Sequence, residues 1–423
     1  MYKVERQDSS RKAVYASPVC VSDEERSGGH TSRRLKVLFV VEGYSDIRFV
    51  TGLSEICDLT MLVPAKQYRE SGLDRRVLAS GAKVRVDELE GGRLRFQTAC
   101  FGYLWRHARE FDVILSQEIL RGSLNSCLVG ALFHKPVVTY MNVPPVQYFQ
   151  CRRERRQNGW WRNLLGTTLI RFLVWCNAKL ATRCVAVGPY MAEVAARHCA
   201  RVSMGYAYGV DTEFYRPAEE SEKPRLRSRL DLPADKFLIL SGSRVSHEKD
   251  PETVLRATSM ARAQGLDAAV LNLGGGYQDF LRLAEDMALP GAKEWVLGRP
   301  AAHPMSELAD YYRAADVVAQ ASLDEGAGMT TMEAVACGVP VVCTAVGGMA
   351  LIMPEHVRLT PRRDAEAMAQ QFLWIAAHRA EAVAQALRGR EYVSREWSRK
   401  RAFASLAEVL ASVALVNQER ANG

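Results

Sequence analysis

The stretch VVAQASLDEGAGMTTMEAVACGVPVVCT, from Val317 to Thr344, decides the fold class of this chain. It opens with a short apolar run, continues through a loop with two glycines into a helical pattern, and ends in a second apolar run after Gly338 and Pro340. Two apolar, β-branched runs joined by one helix are typical of a parallel βαβ unit rather than of a hairpin. The stretch therefore predicts an α/β fold.

The same alternation of apolar runs and helical patterns continues along the chain on both sides of this unit. Between two groups of predicted strands, residues 217–233 contain three prolines and a dense set of charges, so we interpret them as an exposed linker. The arrangement predicts two doubly wound domains in tandem. The predicted strands are 37–41, 59–63, 83–86, 113–116, 137–140, 184–187 and 202–204, followed by 237–241, 269–273, 295–297, 317–320, 339–344 and 357–359.

These strands divide the chain into five segments. Beyond Thr360 the pattern is helical, and an apolar stripe near its end predicts a long helix that folds back across the junction between the domains. That stripe consists of Trp397, Phe403, Leu406, Val409 and Leu410. The segments are a loosely ordered extension at 1–34, a first Rossmann-like domain at 35–216, the linker at 217–234, a second Rossmann-like domain at 235–394, and the terminal helix and tail at 395–423.

Length and composition agree with two globular domains. The chain has 423 residues, more than one compact core usually reaches, and its 48% hydrophobic and 25% charged residues exclude disordered, collagenous and coiled-coil proteins. The net charge of +8 favours acidic partners such as phosphates or anionic lipid surfaces. Because no recognisable nucleic-acid module accompanies the basic residues, we expect no nucleic-acid partner.

The cysteines and the terminal segment predict a cytoplasmic protein. The ten cysteines include no C-x-x-C pair and no spacing typical of zinc ligands, so we expect a reducing compartment and no bound metal. Residues 1–34 contain no apolar stretch like the centre of a signal peptide. The charge-free run 334–354 is interrupted by glycines and prolines, so we expect no transmembrane helix.

The loop and helix start inside the opening stretch carry the densest set of candidate functional residues. Gly326 and Gly328 allow the backbone to approach a ligand closely, and a helix that starts near Thr330 presents free N–H groups to phosphate oxygens. Glu325 and Glu333 lie eight residues apart, so that one carboxylate can hold a ribose and the other a sugar ring. An alternative stays open, because Thr330 and Glu333 also fit a capping box that only stabilises the helix.

Further candidates follow other predicted strands. Arg244 and Lys249 come after strand 237–241, where two cations can clamp a diphosphate, although solvated loop cations are the alternative. Glycines 274–276 follow the next strand, but many tight turns need such a run without any ligand. Gly298 and Arg299 end the strand after that, where backbone groups can bond a nucleobase edge.

Taken in order, these motifs resemble the retaining glycosyltransferases of family 4, which belong to the glycosyl transferases group 1. The resemblance covers most of the second half of the chain, whereas the first half is similar mainly in its βαβ pattern. It implies the GT-B fold, in which two Rossmann-like domains face each other across a central cleft. The matching segments are 209–217, 244–250, 274–276, 296–298, 311–318, 325–340 and 347–348.

The resemblance also implies an activity and roles for single residues. The activity is transfer of a sugar from a nucleotide-diphosphate-sugar to an acceptor hydroxyl, with retention at the anomeric carbon and without an obligatory metal or other cofactor. Arg244 and Lys249 would hold the diphosphate, stabilising the leaving group. Glu333 would bind the ribose and Glu325 the transferred sugar. Backbone N–H groups that contact the sugar or phosphate would come from Gly328, Met329 and Thr330.

The acceptor side departs from the family pattern at two places. Many members have paired glycines after the first strand, whereas Gly43 stands alone here, and many carry a histidine after strand 137–140, where this chain has Asn142. Asparagine can bond a sugar hydroxyl but does not titrate near neutral pH. These departures keep two other functions open, namely a GT-B protein that binds nucleotide-sugars without transfer and an epimerase or hydrolase on the same fold.

Residues 150–175 join a basic stretch to an apolar helical pattern. Five arginines oppose one glutamate within 150–162, and Trp160 and Trp161 lead into the helix. This combination is typical of a helix on an anionic membrane, so we expect peripheral contact at the inner face of the membrane and a lipid-linked acceptor besides glycan and small-molecule acceptors. The alternative is that the apolar side chains pack into the first domain, with the arginines in solvent.

Overall fold

The computed structural model describes residues 33–117, 121–154, 159–219, 221–300 and 306–422. The extension predicted at 1–34 therefore lies outside the described residues, apart from its last two positions. The strands within the described chain are β1 Lys36–Val40, β2 Asp58–Pro64, β3 Val84–Leu89, β4 Val113–Gln117, β5 Val137–Met141, β6 Arg183–Val187, β7 Val202–Gly205, β8 Phe237–Ser241, β9 Ala268–Leu273, β10 Val296–Arg299, β11 Val317–Gln320, β12 Val341–Thr344 and β13 Arg358–Thr360.

Helices connect these strands, and two short 3₁₀ turns of the described residues lie at Ala108–Glu110 and His247–Lys249. The helices are α1 Ile47–Ile56, α2 Ala65–Glu70, α3 Leu73–Ser80, α4 Arg93–His107, α5 Arg121–Leu132, α6 Pro145–Glu154, α7 Trp160–Leu180, α8 Gly188–Ala196, α9 Glu222–Arg229, α10 Pro251–Ala263, α11 Tyr277–Asp286, α12 Ala292–Trp295, α13 Ser306–Ala314, α14 Met329–Ala336, α15 Gly347–Ile352, α16 Ala365–Ala377, α17 Arg379–Glu396 and α18 Arg399–Asn422.

Two parallel sheets organise the described chain, which confirms the predicted pair of Rossmann-like domains. The first sheet has the order β3-β2-β1-β4-β5-β6-β7 and the second has the order β10-β9-β8-β11-β12-β13. The central strands are covered on both faces and are accordingly mostly apolar: β1 is apolar after Lys36, and β9 is apolar except for Asn272. The strand order reverses between β1 and β4 in the first sheet and between β8 and β11 in the second. Such switch points are where open α/β sheets bind ligands.

The segment 217–234 is not the exposed linker that its charges and prolines suggested. It contains α9, which packs on α13 with Leu226 and Arg227 buried. The Arg227 guanidinium lies 2.5 Å from the Asp316 carboxylate, and the Lys223 ammonium lies 2.6 Å from the same group. Burial opposes ionisation of Asp316, yet the two cations hold its pKa below the ordinary value. Two of the charges that suggested solvent exposure, Lys223 and Arg227, are therefore paired inside the protein, whereas Arg225 and Arg229 are exposed.

The last helix crosses from the second domain back to the first. Val210 pairs with Ser398 in an isolated parallel bridge, and the Val210 N–H donates to the Trp397 carbonyl at 2.7 Å. Along α18, the Phe403 ring packs over Gly52 of α1, where an added Cβ would lie 1.9 Å from the ring. The glycine in α1 thus lets the terminal helix sit close to the first domain.

None of the helices in the described residues is both long and apolar enough to cross a membrane.

Candidate active site

A cleft of about 350 Å³ lies where loops from both switch points meet. Tyr44 to Asp46 follow β1 and Gln117 ends β4, while Lys249 follows β8 and Glu325 follows β11. Parallel strands end at the same edge of their sheet, so residues distant in sequence converge there. The sequence-predicted residues that line this cleft are Glu325, Arg244, Lys249, Gly326, Gly328, Met329, Thr330 and Asn142.

Glu325 and Lys249 form an ion pair inside the cleft. The Lys249 ammonium donates to the Glu325 Oε2 atom, which also accepts from the Gln320 amide at 2.8 Å and the Ser322 hydroxyl at 3.3 Å. Lys249 ends a 3₁₀ turn that is stopped by Asp250, a non-glycine residue with a φ of +45°. This turn places the cation at the switch point rather than in solvent, so the alternative of a solvated loop cation is wrong for Lys249.

Arg244 lines the same cleft, and its side chain is less constrained than that of Lys249. Its side chain is 63% exposed, and its guanidinium lies 3.6 Å from the Glu248 carboxylate. Only the arginine is exposed, since Glu248 is buried, and a separation of 3.6 Å is longer than a hydrogen bond, so the guanidinium can turn toward a bound anion at small cost. Arg244 and Lys249 together give the second-domain wall of the cleft two cations.

The helix α14 begins at the cleft and presents its N-terminus there. Gly328 is its N-cap residue with a φ of +74°, a left-handed conformation that favours glycine, and Met329 is the first helical residue. In this geometry the N–H groups of Met329 and Thr330 have no acceptor inside the helix and are available to an anion. The capping-box alternative is wrong, because Thr330 is not the N-cap and no side chain caps this helix.

Gly326 permits a close approach, as predicted, but the group that approaches it is part of the protein and not a ligand. A Cβ at this position would lie 2.1 Å from the Asn142 carbonyl oxygen of the first domain. Likewise, a Cβ at Gly347 would lie 2.0 Å from the Glu325 carbonyl oxygen. Gly326 thus lets the two walls of the cleft touch beside the Glu325–Lys249 pair, while Gly347 lets two segments of the second domain approach each other, and neither role was expected from the sequence.

Glu333 is buried behind the cleft and does not line it. Its Oε1 atom accepts from the Arg48 guanidinium at 2.5 Å and from the Tyr208 hydroxyl at 2.9 Å, while its Oε2 atom accepts from the Tyr312 hydroxyl at 3.0 Å. Arg48 is also held by both carboxylate oxygens of Asp46 at 2.9 Å. Although burial favours loss of its proton, the neighbouring Glu333 and Asp46 carboxylates raise the pKa of Arg48 well above its ordinary value. The carboxylate predicted to bind a ribose is therefore engaged by the first domain in this structure.

Three other predicted residues lie outside the lining of the cleft. The Arg299 guanidinium bonds the Asp231 carboxylate at 3.2 Å, and Gly298 is covered by the Tyr277 ring. Gly43 is exposed next to Glu42. The Glu42 carboxylate accepts from the Gly122 N–H at 3.0 Å, at the first turn of α5, so a protein carboxylate occupies the helix start beside the single glycine.

Several polar residues of the cleft were missed by the sequence analysis. Four of them carry a buried oxygen for which the described residues supply no hydrogen-bond partner. Burial raises the pKa of one of these, Asp324, to about 6. Two of them end the strands β4 and β11, so a polar residue at the end of an otherwise buried strand was the available signal. The four atoms are Ser45 Oγ, Gln117 Oε1, Gln320 Oε1 and Asp324 Oδ2.

Within the described ranges, no group of three or more histidine, cysteine, aspartate or glutamate side chains is arranged to hold a metal ion.

Two facing parallel sheets with a ligand-sized cleft at their switch points define a GT-B fold. Residues 222–391 match the family model described as glycosyl transferases group 1. A D-inositol 3-phosphate glycosyltransferase 1 of Catenulispora acidiphila is 38% identical over 150 residues, which cover 33% of this chain and 35% of that protein. A D-inositol 3-phosphate glycosyltransferase of Saccharomonospora viridis is 32% identical over 206 residues, covering 45% and 46%. The matches therefore span less than half the length of these relatives.

Solved structures extend the similarity of fold to both domains. Anabaena Alr3699/HepE in complex with UDP-glucose superimposes with a TM-score of 0.72 at 16% identity, over 89% of this chain and 100% of that chain. The sucrose-phosphate synthase of Thermosynechococcus elongatus gives a TM-score of 0.71 at 18% identity, over 90% of this chain and 100% of that chain. Because the identities are low, these similarities concern the architecture.

Proposed function

We propose that this protein is a retaining glycosyltransferase that moves a sugar from a nucleotide-diphosphate-sugar to an acceptor hydroxyl. The observation that carries the proposal is the Glu325–Lys249 ion pair in the interdomain cleft, beside the N-terminus of α14. A carboxylate that can accept from sugar hydroxyls thus lies next to cations and free N–H groups that suit a diphosphate. A ligand that carries both chemical groups is a nucleotide-sugar.

The comparisons support the donor half of this proposal. The matched region 222–391 contains Arg244, Lys249, Glu325 and α14, and the matching relatives are named as glycosyltransferases. HepE, which shares the fold, was solved in complex with UDP-glucose. In the proposed complex Glu325 binds the transferred sugar, and Glu333 binds the ribose after release from Arg48.

The proposed transfer reaction forms one bond, breaks another and moves one proton. The acceptor oxygen bonds the anomeric carbon on the face from which the diphosphate departs, the bond between that carbon and the phosphate oxygen breaks, and the acceptor proton passes to the departing diphosphate. Arg244 and Lys249 stabilise the negative charge that develops on the leaving group. Because these two cations can do so themselves, we propose that transfer is independent of metal ions.

The proposed acceptor lies on the first-domain wall, near Asn142. We further propose that it is lipid-linked and that the protein contacts the inner face of the membrane from the cytoplasm through α7. Seven large apolar side chains of this helix are between 51% and 72% exposed, which favours the membrane interpretation over packing into the first domain. They are Trp160, Trp161, Leu164, Leu165, Leu169, Phe172 and Trp175.

Thermal-shift titration of the full chain in the presence of EDTA tests the donor. A panel of nucleoside diphosphates and nucleotide-sugars should give a saturable rise in Tm for one base, because a ligand that binds only the folded state stabilises it. The variant Lys249→Ala should lose that rise and, in a radiolabelled transfer assay, at least ~100-fold of the activity, since a removed charge-stabilising group costs about that much. Its own Tm should stay close to that of the wild type.

The matched control is Lys236→Ala, which removes a partly exposed ion pair with Asp267 in the same domain and leaves the cleft untouched. Absence of any nucleotide-dependent rise in the wild type would contradict the proposal. The asparagine at position 142, where many members of the family have a histidine, favours one second candidate, a protein that binds nucleotide-sugars without transfer. That candidate predicts the rise in Tm without any product, whereas an epimerase or hydrolase would release an epimer or a free sugar.

A further inference from the structure

A second cavity of about 380 Å³, here called the α7 cavity, lies in the first domain between α6, α7 and α8. Its wall is largely apolar and buried, with Met141, Val174, Ala195 and Cys199 among its members. The volume falls in the range of ligand pockets in proteins, and native interiors leave few voids larger than a water molecule. A cavity of this size with such a wall suits an apolar chain.

The α7 cavity also has a cationic rim. Arg171 and Arg197 line it and are exposed, and neither guanidinium makes an ion pair or a hydrogen bond within the described part of the chain. Most other arginines that border cavities here are paired, as Arg313 is with Glu222. Two unpaired guanidinium groups beside an apolar wall match an amphiphile that has one hydrocarbon chain and an anionic group.

The position of the α7 cavity connects it to both sites already described. Val174 and Arg171 lie on α7, the helix whose exposed apolar residues form the proposed membrane face. On the other side, Pro145, Val146 and Gln147 line the α7 cavity, and the three residues immediately before them, 142–144, line the interdomain cleft. One short segment of chain thus separates the cavity from the proposed acceptor site.

We propose that the α7 cavity holds the hydrocarbon chain of the lipid-linked acceptor, with its phosphate at Arg171 and Arg197. This inference rests on the proposed function and adds the chemical class of the acceptor, an alkyl phosphate. The lipid leaves the bilayer along α7, its chain enters the cavity, and its sugar or hydroxyl reaches the cleft past residues 142–147.

Equilibrium binding of dodecyl phosphate to the full chain, below the concentration at which it forms micelles, tests this site. The wild type should bind it saturably, butyl phosphate should bind at least ~100-fold more weakly because buried methylene groups are lost, and dodecyl maltoside, which lacks the charge, should bind at least tenfold more weakly. Val174→Trp, which fills the cavity, and Arg197→Gln, which removes one rim charge and stays clear of the core, should each weaken dodecyl phosphate binding at least tenfold.

The matched control is Val383→Trp, which introduces the same ring into a different cavity of about 420 Å³ in the second domain. It should leave dodecyl phosphate binding unchanged. Equal binding by wild type, Val174→Trp and Arg197→Gln, or no saturable binding by the wild type, would overturn the inference. The nucleotide-dependent rise in Tm, measured on the same preparations, tests the proposed function separately. If that rise were absent while dodecyl phosphate still bound, the transferase proposal would be contradicted and the lipid site would stand.

Discussion

At the scale of single residues, Asp324 makes the free energy of unfolding depend on pH. Burial raises the pKa of this carboxyl to about 6, while its Oδ1 atom accepts from the Glu325 N–H at 3.0 Å. The folded state therefore holds the Asp324 proton more tightly than the unfolded chain does. Between about pH 4 and pH 6 the folded protein must give up this proton, so Asp324 reduces the free energy of unfolding as the pH rises.

We expect Asp324→Asn to have little effect near pH 3.5 and to stabilise the protein by about 1 to 3 kcal/mol near pH 7.5, since the amide keeps the acceptor oxygen and carries no charge. Urea denaturation at both pH values measures the difference. The exposed Asp235 supplies the control, because Asp235→Asn should change stability equally at both pH values. A stability difference for Asp324→Asn that is the same at both pH values would refute the assignment.

The residues on the second-domain wall of the cleft could be predicted from the sequence more completely than the residues that they contact. Glu325 and Lys249 could be predicted because each stands directly after a strand whose apolar pattern is local. The role of Gly326 could not, because the Asn142 carbonyl that it approaches belongs to a distant strand–helix connection. Periodicity and turn chemistry report on neighbours along the chain, whereas contacts across the cleft arise only after both domains have folded.

At the scale of secondary-structure elements, all the predicted strands are present within a few residues of their predicted positions, because a strand buried on both faces is a continuous apolar run. The helix α9 was missed for the opposite reason. Its apolar content is low, and its burial depends on pairs such as Arg227 with Asp316 that a pattern of single residues does not show.

The exposed apolar residues of α7 lead to a prediction for that helix. The triple variant Trp161→Ser, Leu165→Ser and Phe172→Ser should keep the wild-type Tm, since exposed side chains contribute little to folding stability. It should lose at least tenfold in affinity for phosphatidylglycerol vesicles, because apolar burial in the interface and attraction to anionic lipid drive such binding together. Co-sedimentation with vesicles measures the affinity.

Exposed leucines elsewhere in the first domain provide the control for α7. Leu78→Ser in α3 and Leu94→Ser in α4 remove equally exposed apolar groups and should leave vesicle binding unchanged. Wild-type sedimentation that the triple variant retains, or a dimer of the wild type that the triple variant disrupts, would show that the α7 face does not serve a membrane.

At the scale of the whole molecule, one buried network joins the two domains next to the cleft. Arg48 and Tyr208 belong to the first domain, where Tyr208 follows β7, and Glu333 belongs to the second. The Arg48 guanidinium lies 3.9 Å from the centre of the Tyr208 ring and donates to Asp46 as well as Glu333. A pairing between residues 285 positions apart has no signature in the sequence, which is why only a ribose or a helix cap was considered for Glu333.

This network predicts that nucleotide binding competes with an interdomain contact. For the proposed ribose to reach Glu333, the Arg48 guanidinium must withdraw, and a hydrogen bond to a charged group contributes about 1.5 to 3 kcal/mol. Arg48→Met should therefore bind its nucleoside diphosphate about tenfold more tightly than the wild type, as isothermal titration calorimetry would show, even though loss of a buried partner lowers the free energy of unfolding by about 3 to 5 kcal/mol. Tyr208→Phe removes one neutral donor to Glu333 and should also tighten binding of the nucleoside diphosphate, by a smaller factor. This milder variant should still fold.

Arg399→Met is the matched control, because Arg399 also bridges the domains, through the Arg48 carbonyl at 3.1 Å and Glu55 at 2.6 Å, without contacting Glu333. It should lower stability and leave nucleotide affinity unchanged. If Arg48→Met instead abolished nucleotide binding, Arg48 would be a ligand of the donor rather than its competitor. If Arg399→Met tightened binding as much as Arg48→Met does, loosening of the domains alone would explain the effect, and Glu333 would not be the point where donor binding and domain closure meet.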